Sequence, residues 1–219
     1  MNANVPSGPS RNSNVPAFTY PTARQARSAA ASISSRSSGV SAGTFEFLLG
    51  PDGTFAFIEL NARLQVEHPV TELCTGIDLV RAQLRVAAGE PLALTGRAPR
   101  RGHSIEIRLN AEDSTRGFLP VAGTVTRFRP ALGAGIRLDT FLEDGASVPP
   151  YYDSLLAKLA VWDVDRGAAL ARAERALEET VVEGVPTTRE IALAVIRSDE
   201  FVSGRYSTST LAELGAAVV

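Results

Sequence analysis

Nine consecutive positions, Glu59-Leu60-Asn61-Ala62-Arg63-Leu64-Gln65-Val66-Glu67, alternate polar and apolar without a break. An extended chain turns alternate side chains to opposite faces. The pattern therefore predicts a strand with Glu59, Asn61, Arg63, Gln65 and Glu67 on one face and Leu60, Ala62, Leu64 and Val66 on the other. Asn and Glu are poor strand formers, and a row mixing acids, amides and a guanidinium reads as a row of ligands. Periodicity alone equally allows an amphipathic edge strand. Pro69 is expected to end or bend the strand. Upstream, Thr44 to Leu49 and Thr54 to Leu60 are β-prone runs separated by the turn signal Gly50-Pro51-Asp52-Gly53. They predict a hairpin in which Leu49 pairs with Thr54 and Glu46 lies opposite Phe57. Glu46 then shares a face with Glu59 and Asn61, as a diagonal neighbour of Glu59 at roughly 5 to 8 Å, with Asn61 roughly 6.6 Å farther along the strand. Two carboxylates and an amide oxygen so spaced suit one or two hard cations, Mg²⁺ or Mn²⁺, of the kind shared with substrate phosphates. The construction depends on register, since a slip by one residue turns Glu46 to the other face.

Beyond the hairpin the period changes. Thr75 to Ala88 predicts a helix with Thr75 as N-cap and Asp78 three residues on, and with Ile77, Val80, Leu84 and Ala87 on one face. Residues 102 to 150 read as β-rich, with strands at His103 to Asn110, Gly123 to Phe128 and Gly135 to Asp139 and a turn near Glu143 to Gly145. Ser154 to Trp162 predicts a further apolar strand. Asp165 caps a helix to about Glu179, in which Arg175 and Glu179 are spaced for an ion pair. Thr187-Thr188-Arg189-Glu190 predicts a capping box for a last helix ending near Arg197.

Composition adds bounds. The chain has 219 residues, 44% hydrophobic and 21% charged, with a formal net charge of −2, enough for one domain or two small ones. Bulk electrostatics give no reason to expect nucleic-acid binding. No apolar run approaches the roughly 18 residues that span a membrane. The lone Cys74 excludes an intrachain disulfide and suits a reducing compartment, with the cytoplasm as the expected location. Lys158 is the only lysine, so chemistry that needs a lysine has one candidate. Residues 1 to 22 read as disordered, and residues 23 to 38 as a weak helix. The acid-poor, Ser- and Arg-containing start also fits an organellar transit peptide.

The run Phe57 to Glu72, FIELNARLQVEHPVTE, resembles the signature of the biotin carboxylase family, within the ATP-grasp superfamily. Further similar segments follow in order: GTFEF at 43–47, TGIDLVRAQLRVAAGEPL at 75–92, RGHSIEIRLNAED at 101–113, FLPVAGTVTRF at 118–128, VPPYYDSLLAKL at 148–159 and EGVPTTRE at 183–190. The resemblance implies an α+β fold. It consists of the second half of an ATP-grasp core, an antiparallel sheet with helices over 43–97, then the small C-terminal domain of the family over 98–210. Residues 1–42 precede these as a poorly folded segment and 211–219 follow as a tail. In the family, Mg-ATP phosphorylates bicarbonate and biotin is then carboxylated. By resemblance, Glu46 and Glu59 contact ATP and, with Asn61, the metal. Arg63, Gln65 and Val66 form the bicarbonate pocket. Glu67 is the base that takes the bicarbonate proton, and Arg108 holds biotin as charge develops on it. Arg63, Glu67 and Arg108 are thus the implied catalytic residues, and Mg²⁺ or Mn²⁺, ATP, bicarbonate and biotin the implied ligands.

The same resemblance implies a biotin carboxyl carrier domain, a carboxyltransferase subunit and a homodimer partner. Ala134, where some relatives carry an aromatic dimer contact, weakens the last of these, and Arg116-Gly117 reads as a one-residue loop insertion. Bland readings stand beside the functional ones: a salt bridge from Arg63 to Glu59 or Glu67, an exposed strand arginine at 108, and structural roles for His68, His103 and Cys74. Asp153 is a weaker candidate for orienting the site. No glycine-rich phosphate loop precedes Gly43 in this sequence, and no Met-Lys-Met biotin-attachment motif occurs. The expectation is an ATP-dependent biotin carboxylase ligase fragment with little turnover alone. The alternative is a non-catalytic assembly module or remnant that works with a separate N-terminal half or with carboxylase subunits.

Overall fold

A computed structural model describes residues 17–19, 30–34, 41–49, 53–92, 94, 98–206, 210, 211, 213 and 214. In chain order the elements are β1 (Ala17–Thr19), β2 (Ala30–Ser34), β3 (Ser41–Leu49), β4 (Phe55–Asn61), α1 (His68–Thr75), α2 (Leu79–Ala87), β5 (His103–Asn110), β6 (Glu112–Asp113), β7 (Leu119–Pro120), β8 (Gly123–Thr124), β9 (Arg127–Arg129), β10 (Ile136–Thr140), β11 (Ser147–Val148), β12 (Leu155–Asp163), α3 (Arg166–Glu179), β13 (Val181–Glu183), α4 (Arg189–Arg197) and α5 (Asp199–Ser203). The expected weak helix over 23–38 is contradicted where it is described, because residues 30–34 are a strand paired to β3. The rest of that helix lies outside the described residues, as does most of the segment expected to be disordered.

An antiparallel sheet in the order β1-β2-β3-β4 carries the hairpin. Its register corrects the expected one. Leu49 pairs with Phe55, Phe47 with Phe57 and Glu46 with Glu59, and the shift between the last two pairs leaves Ile58 as a bulge. Had the Leu49–Phe55 register continued, Glu46 would face Ile58 and point away from Glu59. The extra residue restores the face, so Glu46 sits directly opposite Glu59 rather than diagonal to it.

The alternating run does not stay extended. β4 ends at Asn61, and residues 62–67 form a loop into α1. Pro69 begins that helix instead of merely stopping a strand: at the first turn its missing N–H is not needed. The single helix expected over 75–88 is two. Gly76, at φ 73°, closes α1 by donating its N–H to the Glu72 carbonyl. Asp78, not Thr75, caps α2 by accepting from Arg81 N.

The C-terminal part is built on an antiparallel sheet in the order β10-β12-β5. Alternation gives it two unlike faces. Ile105, Ile107, Leu109, Leu159 and Val161 pack with Ala169, Ala173, Ala176 and Leu177 of α3 and with Leu193 and Ile196 of α4. The alanine stripe on α3 lets the helix approach closely. On the opposite face the register lines up Asp139, Lys158 and Arg108 in one row and Arg137, Ala160 and Glu106 in the next. A second apolar cluster, Ala111, Val125, Leu142, Val148, Leu156 and Val185, closes the small strand pairs β11–β8 and β13–β9. Asp165 caps α3 and Arg175 pairs with Glu179, as expected. The capping box at 187–190 is not formed. Thr188 is the N-cap without a side-chain cap bond; its hydroxyl instead donates to the Arg108 carbonyl and accepts from Asn110 N.

Candidate active site

Five of the anticipated side chains meet at the end of β4. Asn61 Nδ2 donates to Glu59 Oε1 at 2.8 Å and to Glu46 Oε1 at 3.1 Å. Gln65 Nε2 donates to the same Glu46 oxygen at 2.9 Å, and its own Oε1 accepts from Arg63 at 3.2 Å. One hydrogen-bonded chain thus runs Glu59–Asn61–Glu46–Gln65–Arg63. Among the described residues neither carboxylate forms an ion pair with a basic group. Like charges directly opposite on paired strands repel, so this pair suits a cation. Turning the Asn61 amide over presents Oδ1 in place of Nδ2, which completes an oxygen set of the kind Mg²⁺ and Mn²⁺ prefer. Among the described residues no group of three His, Cys, Asp or Glu gathers.

Glu67, at the N-cap of α1, crosses to the other sheet. Arg108 Nη2 donates to Glu67 Oε2 at 2.8 Å. Neither salt bridge considered for Arg63 forms, since Glu67 is taken by Arg108 and Arg63 reaches Leu64 O and Gln65 instead. Arg108 is accordingly not a merely solvated strand arginine. Loop 62–67, not an extended strand, delivers Arg63, Gln65 and Glu67 to this place.

The charged sheet face supplies groups that the sequence reading did not assign. Lys158 Nζ donates to the Val66 carbonyl at 3.1 Å and pairs with Asp139 at 3.1 Å. Arg137 joins Asp139 to Glu72 of α1, with Nη1 at 2.5 Å from Glu72 Oε2. Asp139 is partly buried, which raises a carboxyl pKa, but bonds from Arg137 and Lys158 outweigh this and hold it below the usual range. Glu106 lies beside them with both carboxylate oxygens buried and unpartnered. Burial, opposed by Lys158 and Arg108, pushes its pKa up to about 7. The available signals were the alternations Glu106-Ile107-Arg108 and Arg137-Leu138-Asp139. Which face met α1 was not readable from them.

The remaining candidates stand apart. Asp153 accepts from Leu155 N and caps the entry to β12. His68 closes its own turn through Nδ1 and Gln65 O. His103 lies between Arg100 and Arg166, where burial and then those charges lower its pKa. Cys74 is buried, and its thiol pKa is raised by that burial. A groove of about 400 Å³ follows the free edge of β5, lined by Glu106, Arg108, Asn110 and Glu112 on the strand side and by apolar residues of α4 and α5 on the other.

Comparison with known proteins places the chain. Residues 106–213 match the model of the biotin carboxylase C-terminal domain, and residues 14–95 that of the carbamoyl-phosphate synthase L chain ATP-binding domain. A Nostoc biotin carboxylase is 46% identical over 174 residues, 79% of this chain and 39% of the relative. The chain belongs to the biotin carboxylase family. Another family relative, the alpha3 subunit of a biotin-dependent acyl-coenzyme A carboxylase from Mycobacterium leprae, is 48% identical over 77% of this chain and 28% of its own length. The biotin carboxylase domain dimer of Hydrogenobacter thermophilus 2-oxoglutarate carboxylase, solved with MgADP, ADP and bicarbonate, superposes with a TM-score of 0.77. It is 43% identical, over 80% of this chain and 39% of that one. The fold is therefore that of ATP-grasp biotin carboxylase domains, mixed α and β as expected, and the chain spans about two fifths or less of the length of these relatives.

Proposed function

We propose that this chain supplies the metal, bicarbonate and biotin-facing groups of an ATP-dependent biotin carboxylase. The single observation that carries the reading is the unbroken link from the carboxylate pair through Gln65 to Arg63. It puts a cation site and a guanidinium for a planar oxyanion side by side. We divide the chain into an ATP-grasp part, 43–97, and a C-terminal domain, 98–210, with the site where α1 meets the charged face of the second sheet.

A divalent cation held by Glu46, Glu59 and Asn61 would neutralise nucleotide phosphate charge and align it for attack. Arg63 offers parallel donors to bicarbonate, while Gln65 and the Val66 backbone, steadied by Lys158, define the rest of that pocket. Glu67 accepts the bicarbonate proton on a carboxylate oxygen. Arg108, once parted from Glu67, is left to hold the negative charge that develops on the biotin ureido oxygen. Partners in this reading are a biotin carboxyl carrier domain, a carboxyltransferase subunit and a second copy of the chain. The reading calls for neither a nucleic acid nor a membrane as partner. Among the described residues no helix is long and apolar enough to cross a bilayer. We assign it to the reducing cytoplasm.

The test is ADP release with Mg-ATP, bicarbonate and free biotin, for wild type beside Glu67→Gln, by these 219 residues alone and then with the remaining part of a relative added in trans. We expect little release alone and biotin-dependent release after addition, lost in the variant. Release after addition that is indifferent to Glu67→Gln defeats the assignment of the base. No release in either case from a folded chain favours the assembly-module reading.

A further inference from the structure

The charged face of the β10-β12-β5 sheet holds one carboxylate too many. Arg108 is matched by Glu67, Arg137 by Glu72 and Asp139, and Lys158 by Asp139. Three cations thus meet three anions. Glu106 is the fourth acid. Its cross-strand neighbour is Ala160, which offers no donor, and both of its carboxylate oxygens are buried without a hydrogen-bond partner. It precedes Arg108 by two residues on one strand, so the two side chains leave β5 on the same face. The nearest guanidinium it can recruit is the one that Glu67 holds.

We propose that Glu106 is a positioning residue that competes with Glu67 for the Arg108 guanidinium. The inference rests on the reading of Glu67 as base and Arg108 as anion holder. When Glu106 carries its proton, Arg108 stays on Glu67 and the base is masked by an ion pair. When Glu106 gives that proton to solvent, two carboxylates share one guanidinium. The buried one, which lacks other partners, gains more from it than half-exposed Glu67, which water can solvate. Arg108 turns inward and Glu67 is freed to take a proton from its substrate.

The groups facing Glu106 from each packed element are consistent with one titration. Arg108 lies on its own strand, Glu112 shares the groove from β6, Lys158 lies on β12, and Arg137 and Asp139 on β10. Glu67, His68 and Glu72 come from α1 and its cap. The helices α3 and α4 meet β5 through its apolar face and free edge. Lys158 and Arg108 oppose the effect of burial without overcoming it, and Glu67 and Asp139 reinforce it.

The test is an NMR titration of the 219-residue chain from pH 5 to 9 without nucleotide, bicarbonate or biotin, using ¹³C-carboxyl glutamate and ¹⁵N-arginine. We expect the Glu106 carboxyl and the Arg108 Nε–H resonance to move together, with one midpoint near 7. In Glu106→Gln the Arg108 resonance should stay at its acid position at every pH. In Glu67→Gln it should start at acid pH from a third position, paired with neither carboxylate, and still reach its alkaline position as Glu106 ionises. An Arg108 resonance that is flat while Glu106 titrates overturns the proposal, as does a shift that survives in Glu106→Gln. If Glu106→Gln does not fold, the wild-type titration and Glu67→Gln decide the matter by the same criteria. Because no reaction is read, failure here is distinct from failure of the ADP-release experiment.

Discussion

Arg108 Nη2 lies 2.8 Å from Glu67 Oε2, joining the cap of α1 to a strand 41 residues away. Both side chains are about half exposed, so water and salt screen the pair. Exposed pairs of this kind contribute about 0.2–1 kcal/mol. A double-mutant cycle with Glu67→Gln and Arg108→Gln in urea unfolding should return a coupling in that range. The same Glu67→Gln substitution should lower bicarbonate-dependent ADP release in the assembled enzyme by about 100-fold or more. A coupling well above about 1 kcal/mol with unchanged turnover would make the pair a structural clamp.

The facing carboxylates Glu46 and Glu59 predict a crossover in stability. Without divalent metal, Glu46→Gln removes a like-charge cross-strand pair and should stabilise the chain by about 0.2–1 kcal/mol. With saturating Mn²⁺ the order should reverse, because only the wild type retains both anionic ligands and binding to the folded state adds stability. Thermal melts in EDTA and in millimolar Mn²⁺ check both halves. Equal Mn²⁺ shifts in the two proteins would place the cation elsewhere.

Glu106 predicts a pH-dependent stability with a definite sign. Its folded pKa, about 7, lies above the ordinary carboxyl value of 4.5. Below about pH 4.5 both states are protonated and nothing is lost. As pH rises from there to about 7 the unfolded chain gives up the proton first, so stability falls, and above the folded value the loss is constant. Glu106→Gln should therefore stabilise the chain by an amount that grows across this window. Each tenfold change in proton affinity is worth about 1.4 kcal/mol. Discounted for partial access of water, the gain at pH 8 is about 1–3 kcal/mol. Urea midpoints at pH 5 and pH 8 measure it. A variant less stable at pH 8 than at pH 5 relative to wild type contradicts the sign.

The sheet faces explain what could be read from sequence. Glu59 and Asn61 share a side of a strand, and period two showed it. Glu46 joins them only because Ile58 bulges, and bulges leave no mark in an alternating pattern. Arg63, Gln65 and Glu67 also alternate, yet they reach the site through a loop shaped by the His68–Gln65 turn and by Pro69. The pattern thus named residues that do come together, for a partly wrong reason. Strand β5 was found with its bounds unchanged because it alternates over a full buried face. Lys158, Arg137 and Asp139 were invisible as site supports, since their role depends on α1 crossing the sheet, a long-range packing event. The resemblance carried the chemistry and the register carried the geometry.

Gly184 tests the second core on which the far ends of β5 and β12 rest. It sits at φ 102° after β13, where a side chain of any L residue is strained. A Cβ there would lie 2.1 Å from the Thr124 carbonyl oxygen and 2.8 Å from Thr126 N. Those atoms belong to backbone that cannot yield cheaply: Thr126 N donates to the Glu183 carbonyl, and Thr124 pairs with Ser147. Gly184→Ala should therefore cost more than about 3 kcal/mol, combining strain with a forced backbone shift. Gly145 is the control, with φ 89° and no atom within 4 Å of the same added carbon. Gly145→Ala should cost only the left-handed penalty, about 1–2 kcal/mol. Urea unfolding of the two variants separates clash from dihedral strain. Equal losses would mean that the β13–β9 edge can move outward, and that Val185 and Val125 do not pin the cluster beneath Leu156 and Ala111.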